Sequence, residues 1–435
     1  MASATENDGQ NTAVITFGHV KMTNTRLPTL VLVEPHLRRV GGHHSKDALA
    51  LIKAARTHGL DVHLLVHREI GPALRDELIS VSVPFEPVFD LRDAGRFQFA
   101  PLRWVLSSAM YIHGLARFAS SLDSPSIFFT NGGREEALGG AALLALYYPR
   151  DLRFVFQFFG WSGLLEDFSN KRTGSILKQL RRLSVSLARA AMNRGSLFLS
   201  GHTEAVADEM STVFGHEIPA LPLTVDWDTF DTAQPTFHRP LRIGYLGDTR
   251  REKGFDLFVG SFKFVREPYQ LNVHATILSE YDDRRRRQRQ QIETLQQNPQ
   301  HHVHHGHLSD RDYAQFLHNI DIVVLPYRHS TYENRSSRIF VEAVGMGKVV
   351  VTNNRIMIGR LTRQHEIGVT FFQETPQSLA HALDEAIRGF DHLHDRSLKL
   401  APTWREHHCA DHLLSRLLQL TGYEQPLRTG RPDDH

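Results

Sequence analysis

The sequence is poor in cysteine and in long apolar runs. Its 435 residues include one cysteine, Cys409, which excludes an internal disulfide framework and fits a reducing compartment such as the cytoplasm. The longest apolar run, Ala141–Tyr148, is far shorter than the roughly 20 residues that cross a membrane. Residues 1–27 lack the apolar centre of a signal peptide, so we expect a disordered leader and a cytoplasmic protein.

Other signals are missing as well. A net charge of +2 provides no bulk attraction for nucleic acid. No GxGxxG fingerprint follows either opening strand, which counts against a nicotinamide or flavin enzyme, and the chain has no P-loop. Five histidines lie between positions 301 and 307, and those spaced by two on an extended segment would fall on one face. Without a cysteine or a second cluster nearby, they do not favour a metal site.

What is present is the pattern of an α/β protein. Short apolar runs alternate with helical patterns, which predicts parallel sheets covered on both faces. The predicted strands are Thr29–Val33, Val62–Val66, Ser126–Thr130, Phe154–Phe158, Ser196–Ser200, Leu241–Leu246, Leu271–Leu278, Ile320–Leu325 and Val349–Val351.

A polar, proline-bounded stretch at Pro222–Pro235 interrupts this pattern and predicts a linker. We therefore expect two Rossmann-like domains that face each other across a cleft. Their predicted extents are 28–225 and 226–402. A last helix over about 404–420, within a segment 403–421, and a loose tail over 422–435 would follow.

The second domain opens with a strand that runs into a basic loop. Gly247 permits an unusual turn, Arg250, Arg251 and Lys253 follow, and Gly254 lets the chain enter a helix tightly. Cations beside a helix start suit a diphosphate, because charge-assisted hydrogen bonds contribute about 1.5–3 kcal/mol each, against about 0.3–1 kcal/mol for a helix dipole. Solvated surface cations are the alternative interpretation.

The most informative segment is 321–354, which has the pattern strand, loop, helix, strand. The predicted helix, about Ser337–Met346, begins after Arg335-Ser336, where backbone N–H groups suit a phosphate. Glu342 lies in its second turn and can accept hydrogen bonds from two vicinal hydroxyls, as a ribose presents. Alternatively, Glu342 pairs with Arg338 at i, i+4 within an ordinary βαβ unit.

These features resemble the donor half of the retaining family-four glycosyltransferases, which have the GT-B fold. The resemblance spans about residues 29–420 and is strongest in the second half. It is carried by Gly247, Lys253-Gly254, His305-Gly306-His307, Asp321, Glu342-Ala343 and Trp404, and more thinly by Gly41-Gly42. Trp404 matches the start of the family's closing helix, which crosses back to the first domain.

The resemblance implies sugar transfer from a nucleoside-diphosphate donor to a hydroxyl of a glycan or lipid-linked acceptor, as in polysaccharide biosynthesis. Retention and independence of metal or other cofactors are implied in the same way. Glu342 would bind the ribose, Arg251 and Lys253 would stabilise the departing diphosphate, and the Ser336-Ser337 amides would assist. Further contacts with donor or acceptor are implied for Gly247, Arg250, Gly306, Arg335, Gly41, Gly42 and His43.

Three positions depart from the family pattern. The family's first motif glutamate falls at Asn334, beside Glu333, and we expect the catalytic contact from this pair; alternatively, the Tyr332-x-x-Arg335-x-Ser337 pattern contacts the sugar. Asp248 replaces an arginine, and Gln157 stands where the first domain often has a histidine. Two alternatives therefore stay open: a GT-B protein that binds a nucleotide sugar or a partner without turnover, and a sugar epimerase.

One basic amphipathic segment, Lys171–Arg194, has two interpretations. Its seven lysines and arginines could form a solvated helix face, or they could rest on an anionic membrane and present a lipid-linked acceptor. The second interpretation predicts peripheral contact with the inner membrane face. The arginine-rich run Arg284–Arg289 is interpreted as a solvated helix face.

Overall fold

The computed structural model contains two α/β units, each built on a six-stranded parallel sheet. The structure describes residues 27–38, 43–89, 100–122, 125–133, 135–149, 151–159, 176–230, 239–277, 282–306 and 308–423. Each strand is paired in parallel with its neighbours. Parallel neighbours require crossover connections, and helices supply them here.

The first domain alternates strands and helices. Its strands are β1 (Thr29–Glu34), β2 (Val62–His67), β3 (Phe85–Phe89), β4 (Ser126–Thr130), β5 (Leu152–Phe158) and β6 (Leu197–Gly201). Its helices are α1 (His43–Thr57), α2 (Pro72–Ser80), α3 (Ala100–Ala119), α4 (Glu135–Tyr147), α5 (Ile176–Asn193) and α6 (Glu204–Phe214). The strand order is β3-β2-β1-β4-β5-β6.

The second domain repeats this plan. Its strands are β7 (Leu241–Asp248), β8 (Tyr269–Thr276), β9 (His301–His305), β10 (Ile322–Leu325), β11 (Val349–Asn353) and β12 (Gly368–Phe371), in the order β12-β11-β10-β7-β8-β9. Its helices are α7 (Phe255–Ser261), α8 (Asp282–Gln296), α9 (Asp310–His318), α10 (His329–Tyr332), α11 (Arg338–Gly345), α12 (Met357–Gln364), α13 (Pro376–Arg388) and α14 (Phe390–His407). A further helix, α15 (Ala410–Leu420), follows and returns to the first domain.

Both sheets are covered by helices on both faces. The central strands β1, β4, β10 and β11 are buried along their whole lengths, as their continuous apolar runs require. In the first domain, α3, α4, α5 and α6 pack on one face, while α1, α2 and α15 pack on the other. Among the described helices, none has the length and apolar character to span a membrane.

The end of the chain differs from the expected single helix over 404–420. α14 continues through Pro402 to His407, and α15 begins after Cys409, whose Sγ accepts a hydrogen bond from the backbone N–H of His412 at 3.4 Å. α15 then packs in the apolar cluster of the first domain. The break falls where the chain passes from one domain to the other, so the two helices can follow different axes.

All nine predicted strands are present, with ends displaced by no more than two residues. The prediction missed β3 and β12 and recognised β9 only as an extended segment. All three are edge strands, and their burial is partial or mixed. A strand covered incompletely carries no continuous apolar run, so its sequence gives little signal.

Candidate active site

The carboxyl ends of the two sheets face each other. α1 follows the carboxyl end of β1, α11 follows the carboxyl end of β10, and these two helices are in direct contact. Ligands of open α/β sheets bind at this edge. The candidate site is therefore the region between α1 and the two loops that leave β7 and β10.

Those two loops pack tightly against each other. The backbone N–H of Arg328 donates to the carbonyl of Glu252 at 2.9 Å. Gly254 has φ +69°, and a Cβ there would lie 1.9 Å from the carbonyl oxygen of Pro326. Only glycine fits this approach, because both the backbone angle and the space exclude a side chain. The basic loop is thus fixed beside the loop after β10.

Asp248 forms ion pairs with two cations of the basic loop, Arg250 and Lys253. Arg250 donates to both of its carboxylate oxygens, at 2.7 and 3.1 Å, and Lys253 Nζ lies 3.1 Å from Oδ2. Burial raises the pKa of Asp248, but the hydrogen bond from Arg250 and the charge of Lys253 outweigh it, so the pKa is lowered overall. Arg251, by contrast, is exposed. Asp248, at the position where the resemblance implies an arginine, is therefore an anion that orients Arg250 and Lys253.

Lys253 connects the basic loop with the start of α11. Its Nζ lies 5.6 Å from the ring centre of Tyr327, whose hydroxyl is 3.1 Å from Ser337 Oγ. Ser337 is the N-cap residue of α11, and its Oγ accepts from the backbone N–H of Phe340 at 3.4 Å. Gly247, with φ +118°, faces the same helix. The structure thus brings together three of the predicted donor-site positions, Gly247, Lys253 and Ser337.

Glu342 lies one turn further along α11 and is only 2% exposed. Its Oε1 accepts from Arg338 Nε at 2.8 Å, and its Oε2 accepts from the hydroxyl of Tyr313 at 2.6 Å. The i, i+4 pair that the sequence offered as an alternative is therefore formed. It does not exclude a ribose contact, because a carboxylate has about four acceptor directions and two are used here.

Side chains of the first domain contact the chain at Asn334 and at Arg338. Asp47 of α1 forms an ion pair with Arg338, and Thr203 Oγ1 donates to the carbonyl of Asn334 at 3.1 Å. Asp47 is 4% exposed. Sequence reasoning missed Asp47 and Thr203, since both are far from Arg338 and Asn334 along the chain and belong to no motif.

The expected catalytic pair Glu333 and Asn334 occupies the turn before α11. The side chain of Glu333 is 61% exposed and lies 3.5 Å from His329 Nε2. Asn334 Oδ1 accepts from Arg360 at 3.3 Å, while Arg335 is exposed and Ser336 is half-buried. Of these positions, Glu333 is the one that offers an exposed carboxylate.

The remaining expected positions lie at the margins. Gly41 and Gly42 are outside the described residues, and His43 is described only as the first residue of α1. Gly306 directly follows β9, has φ +123°, and its carbonyl lies 2.8 Å from His274 Nε2. Gln157 is buried and donates to the carbonyl of Leu221 at 3.0 Å, so it braces the end of the first domain.

The predicted absence of a metal site and the basic segment 171–194 both concern side chains outside the donor site. Within the described ranges, no group of three His, Cys, Asp or Glu side chains could hold a metal ion. On α5 and just beyond it, Arg189 donates to the carbonyl of Phe214 at 3.0 Å and Arg194 to that of Tyr148 at 3.1 Å. These two cations of the 171–194 segment therefore cap the ends of α6 and α4.

One known protein family matches the part of the chain that contains the candidate site. Residues 240–388 match the family described as Glycosyl transferases group 1, and this range contains the basic loop and α11. No curated protein matches the sequence significantly.

Solved structures show the same two-domain fold. A glycosyltransferase from Rickettsia africae has a TM-score of 0.63 at 13% identity, covering 91% of this chain and 98% of its own. HepE from Anabaena in complex with UDP has a TM-score of 0.62 at 15% identity, covering 90% and 98%. An Escherichia coli trehalose-6-phosphate protein bound with UDP-2-fluoro glucose has a TM-score of 0.63 at 11% identity, covering 92% and 100%. The expected α/β, GT-B fold is confirmed.

Proposed function

We propose that this GT-B chain, whose second domain matches the glycosyl transferases group 1 family, transfers a sugar from a nucleoside-diphosphate donor to an acceptor hydroxyl with retention. One observation carries the proposal: Asp248, Lys253, Tyr327 and Ser337 join the basic loop to the start of α11 through consecutive contacts. Positive charge and a helix N-terminus beside each other suit a diphosphate. UDP in the HepE structure supports the ligand class.

In this proposal different residues contact the diphosphate, the ribose and the sugar. Lys253 and the exposed Arg251 hold the diphosphate and stabilise the charge on the departing nucleoside diphosphate, which is the main electrostatic task of such a transfer. Backbone N–H groups of Ser336-Ser337 assist at the helix start. Glu342 accepts the ribose hydroxyls, and Glu333 or Asn334 contacts the sugar. These side-chain cations supply the charge stabilisation, so the proposal requires no metal.

Calorimetric titration with UDP, GDP and ADP tests the donor site. One nucleotide should bind selectively, and Lys253→Met should weaken it about tenfold, as expected for loss of one charge-assisted hydrogen bond. The same substitution should weaken binding of the matching nucleoside monophosphate less, because that ligand lacks the second phosphate. Lys263→Met is the matched control, since Lys263 is exposed beyond the C-terminal end of α7. Absence of binding to all three nucleotides would contradict the proposal.

A second candidate is a GT-B protein that binds a nucleotide sugar without turnover. Asn334 favours it, because a neutral amide replaces the glutamate expected there and is engaged by Arg360. Sugar release from the selected nucleotide sugar, with and without glycan acceptors, separates the two functions. Binding without release in any mixture would favour the non-catalytic protein. Release that Glu333→Gln abolishes would identify the exposed carboxylate as the catalytic group.

For the acceptor, we propose a glycan or a lipid-linked intermediate presented at a membrane surface. On α5, Ile176 and Leu183 are 58% and 55% exposed, and on the neighbouring α3, Leu102 and Val105 are 42% and 49% exposed. Exposed apolar side chains beside basic residues are typical of interfacial helices. Sedimentation with anionic vesicles should bring down the wild type but less of an Ile176→Ser, Leu183→Ser variant. Equal sedimentation would leave a glycan in solution as the acceptor.

A further inference from the structure

A buried charge network crosses the domain boundary at the candidate donor site. It runs from Asp47 in the first domain to Arg338, from Arg338 to Glu342, and from Glu342 to the hydroxyl of Tyr313. The Asp47, Arg338 and Glu342 side chains are 4%, 15% and 3% exposed. Ionised groups taken out of water in this way persist only when they are paired.

The arginine geometry fixes two carboxylates at once. Nε of Arg338 donates to Glu342, and Nη1 of the same planar group donates to Asp47. Because a guanidinium is a rigid fork, the orientation of Glu342 depends on the position of Asp47. Burial lowers the pKa of Arg338, but Asp47 and Glu342 outweigh it and raise the pKa overall, so this group stays charged.

The carboxylate of Glu342 can still accept hydrogen bonds from two adjacent hydroxyls. Arg338 and Tyr313 each occupy one acceptor direction on a different carboxylate oxygen. About one direction remains on each oxygen. Two adjacent hydroxyls can donate to those directions only while the carboxylate plane is held as it is here.

We propose that Arg338 is a positioning residue that orients Glu342 for a ribose diol and, through Asp47, couples nucleotide binding in the second domain to closure of the first. The inference rests on the proposed function for the identity of the ligand, but the closure itself does not depend on it. Thr203 supports the same arrangement by holding Asn334, which is four residues before Arg338. The segment 334–338 is thus held by the first domain at both ends.

Besides Asp47, α1 contributes Lys46, which pairs with Asp310 at 2.7 Å, and Lys53, whose ion pair provides the matched control. Lys53, also on α1, pairs with Asp228, but their side chains are 63% and 78% exposed. Exposed pairs contribute little, because water and salt screen them. If any interdomain charge pair sufficed for coupling, breaking the Lys53–Asp228 pair would weaken nucleotide binding as much as breaking the Asp47–Arg338 pair. The proposal requires a larger effect for the buried Asp47–Arg338 pair.

The test measures nucleotide affinity and compactness in the full chain. Asp47→Asn should raise the Kd of the nucleotide selected from UDP, GDP and ADP about tenfold, within the usual range of coupling between sites. Lys53→Gln should change it less than twofold. In the double variant Asp47→Asn, Glu342→Gln, the loss should not exceed the larger single loss by more than twofold, because Asp47 acts through Glu342. Arg338→Lys, which keeps the charge without the fork, should behave like Asp47→Asn.

Small-angle scattering without nucleotide provides the independent readout. Asp47→Asn should increase the radius of gyration relative to Lys53→Gln, and an unchanged radius would overturn the coupling. An unchanged Kd in folded Asp47→Asn protein, or effects that multiply in the double variant, would overturn it as well. If Asp47→Asn does not fold, Arg338→Lys replaces it with the same expected outcomes. Failure of the wild type to bind any nucleotide would instead contradict the proposed function, and scattering would still decide whether the closure exists.

Discussion

Acid should loosen the junction between the domains at His408. This residue lies between α14 and α15, where its Nδ1 donates to the carbonyl of Leu223 and its own carbonyl accepts from the N–H of Val225, both at 2.8 Å. The ring also packs on Trp404, with centroids 4.7 Å apart. His408 therefore ties the crossing of the C-terminal helices to the chain segment that joins the two sheets.

The magnitude follows from the pKa of His408. Burial lowers that pKa from the usual 6.5 to about 3, so the neutral ring is the form that fits the folded state. As pH falls, His408 is protonated in the unfolded chain near pH 6.5 but in the folded protein only near pH 3. Its contribution to stability is therefore present above pH 6.5 and is lost as pH falls towards 3. At about 1.36 kcal/mol per pKa unit, the full loss is about 5 kcal/mol, of which about 2 kcal/mol falls between pH 7 and pH 5.

The assay compares the wild type with His408→Asn by urea unfolding at pH 7 and pH 5. Asparagine can donate to the Leu223 carbonyl through Nδ2 but cannot take up a proton in this range. The wild type should therefore lose about 2 kcal/mol more than the variant over this pH interval. Taking the difference removes the contribution of other histidines with lowered pKa values, such as His394. Equal losses in the two proteins would refute the reasoning.

Three further predictions concern Glu342, Lys348 and Gly254. Glu342→Gln should weaken nucleotide binding by about 2 kcal/mol in calorimetry while the protein stays folded. Glu342→Ala should also cost about 1–3 kcal/mol of stability, because it removes the acceptor of Arg338 Nε and of the Tyr313 hydroxyl, although Asp47 still pairs with Arg338, and so is the poorer test. Lys348 is buried, which lowers its pKa from 10.5 to about 8 and costs about 3 kcal/mol of stability at pH 7, while its Nζ donates to the carbonyl of His318 at 2.7 Å, a hydrogen bond that contributes about 1 kcal/mol. Lys348→Met should therefore be about 2 kcal/mol more stable at pH 7, an advantage that is lost between pH 8 and 10.5. A pH-independent difference would exclude the buried charge as its cause. Gly254→Ala should lose about 2–4 kcal/mol of unfolding free energy, whereas Gly59→Ala, also at positive φ but with open space around it, should lose about 1 kcal/mol. Similar losses at both glycines would contradict the packing argument.

The sequence predicted most of the fold because buried parallel strands have distinctive composition. Runs such as Val349–Val351 are apolar throughout, and the helices between them carry a separate periodicity. β3 and β12 were missed because each lies at a sheet edge, where partial cover removes the apolar run. The break between α14 and α15 was missed because no proline or glycine marks the sequence around His408.

The candidate site was predictable in part for the same kind of reason. Gly247, Lys253, Ser337 and Glu342 lie in local patterns that can be recognised from spacing, and the structure places them at the facing edge of the second sheet. The capture of Arg250 and Lys253 by Asp248 was not predicted, although their spacing along the loop permitted it. Whether these side chains act on a nucleotide sugar stays a prediction.

By itself, the sequence determined the two parallel sheets, the position of the basic loop and the helix that begins after Ser337, because each depends on residues close together in the chain. Only the tertiary structure decided what Glu342 and Arg338 contact. Asp47 lies 291 residues before Arg338, and their ion pair forms because two separately folded sheets bring α1 and α11 together. The charge of a buried group is set by such distant neighbours, which no local pattern records.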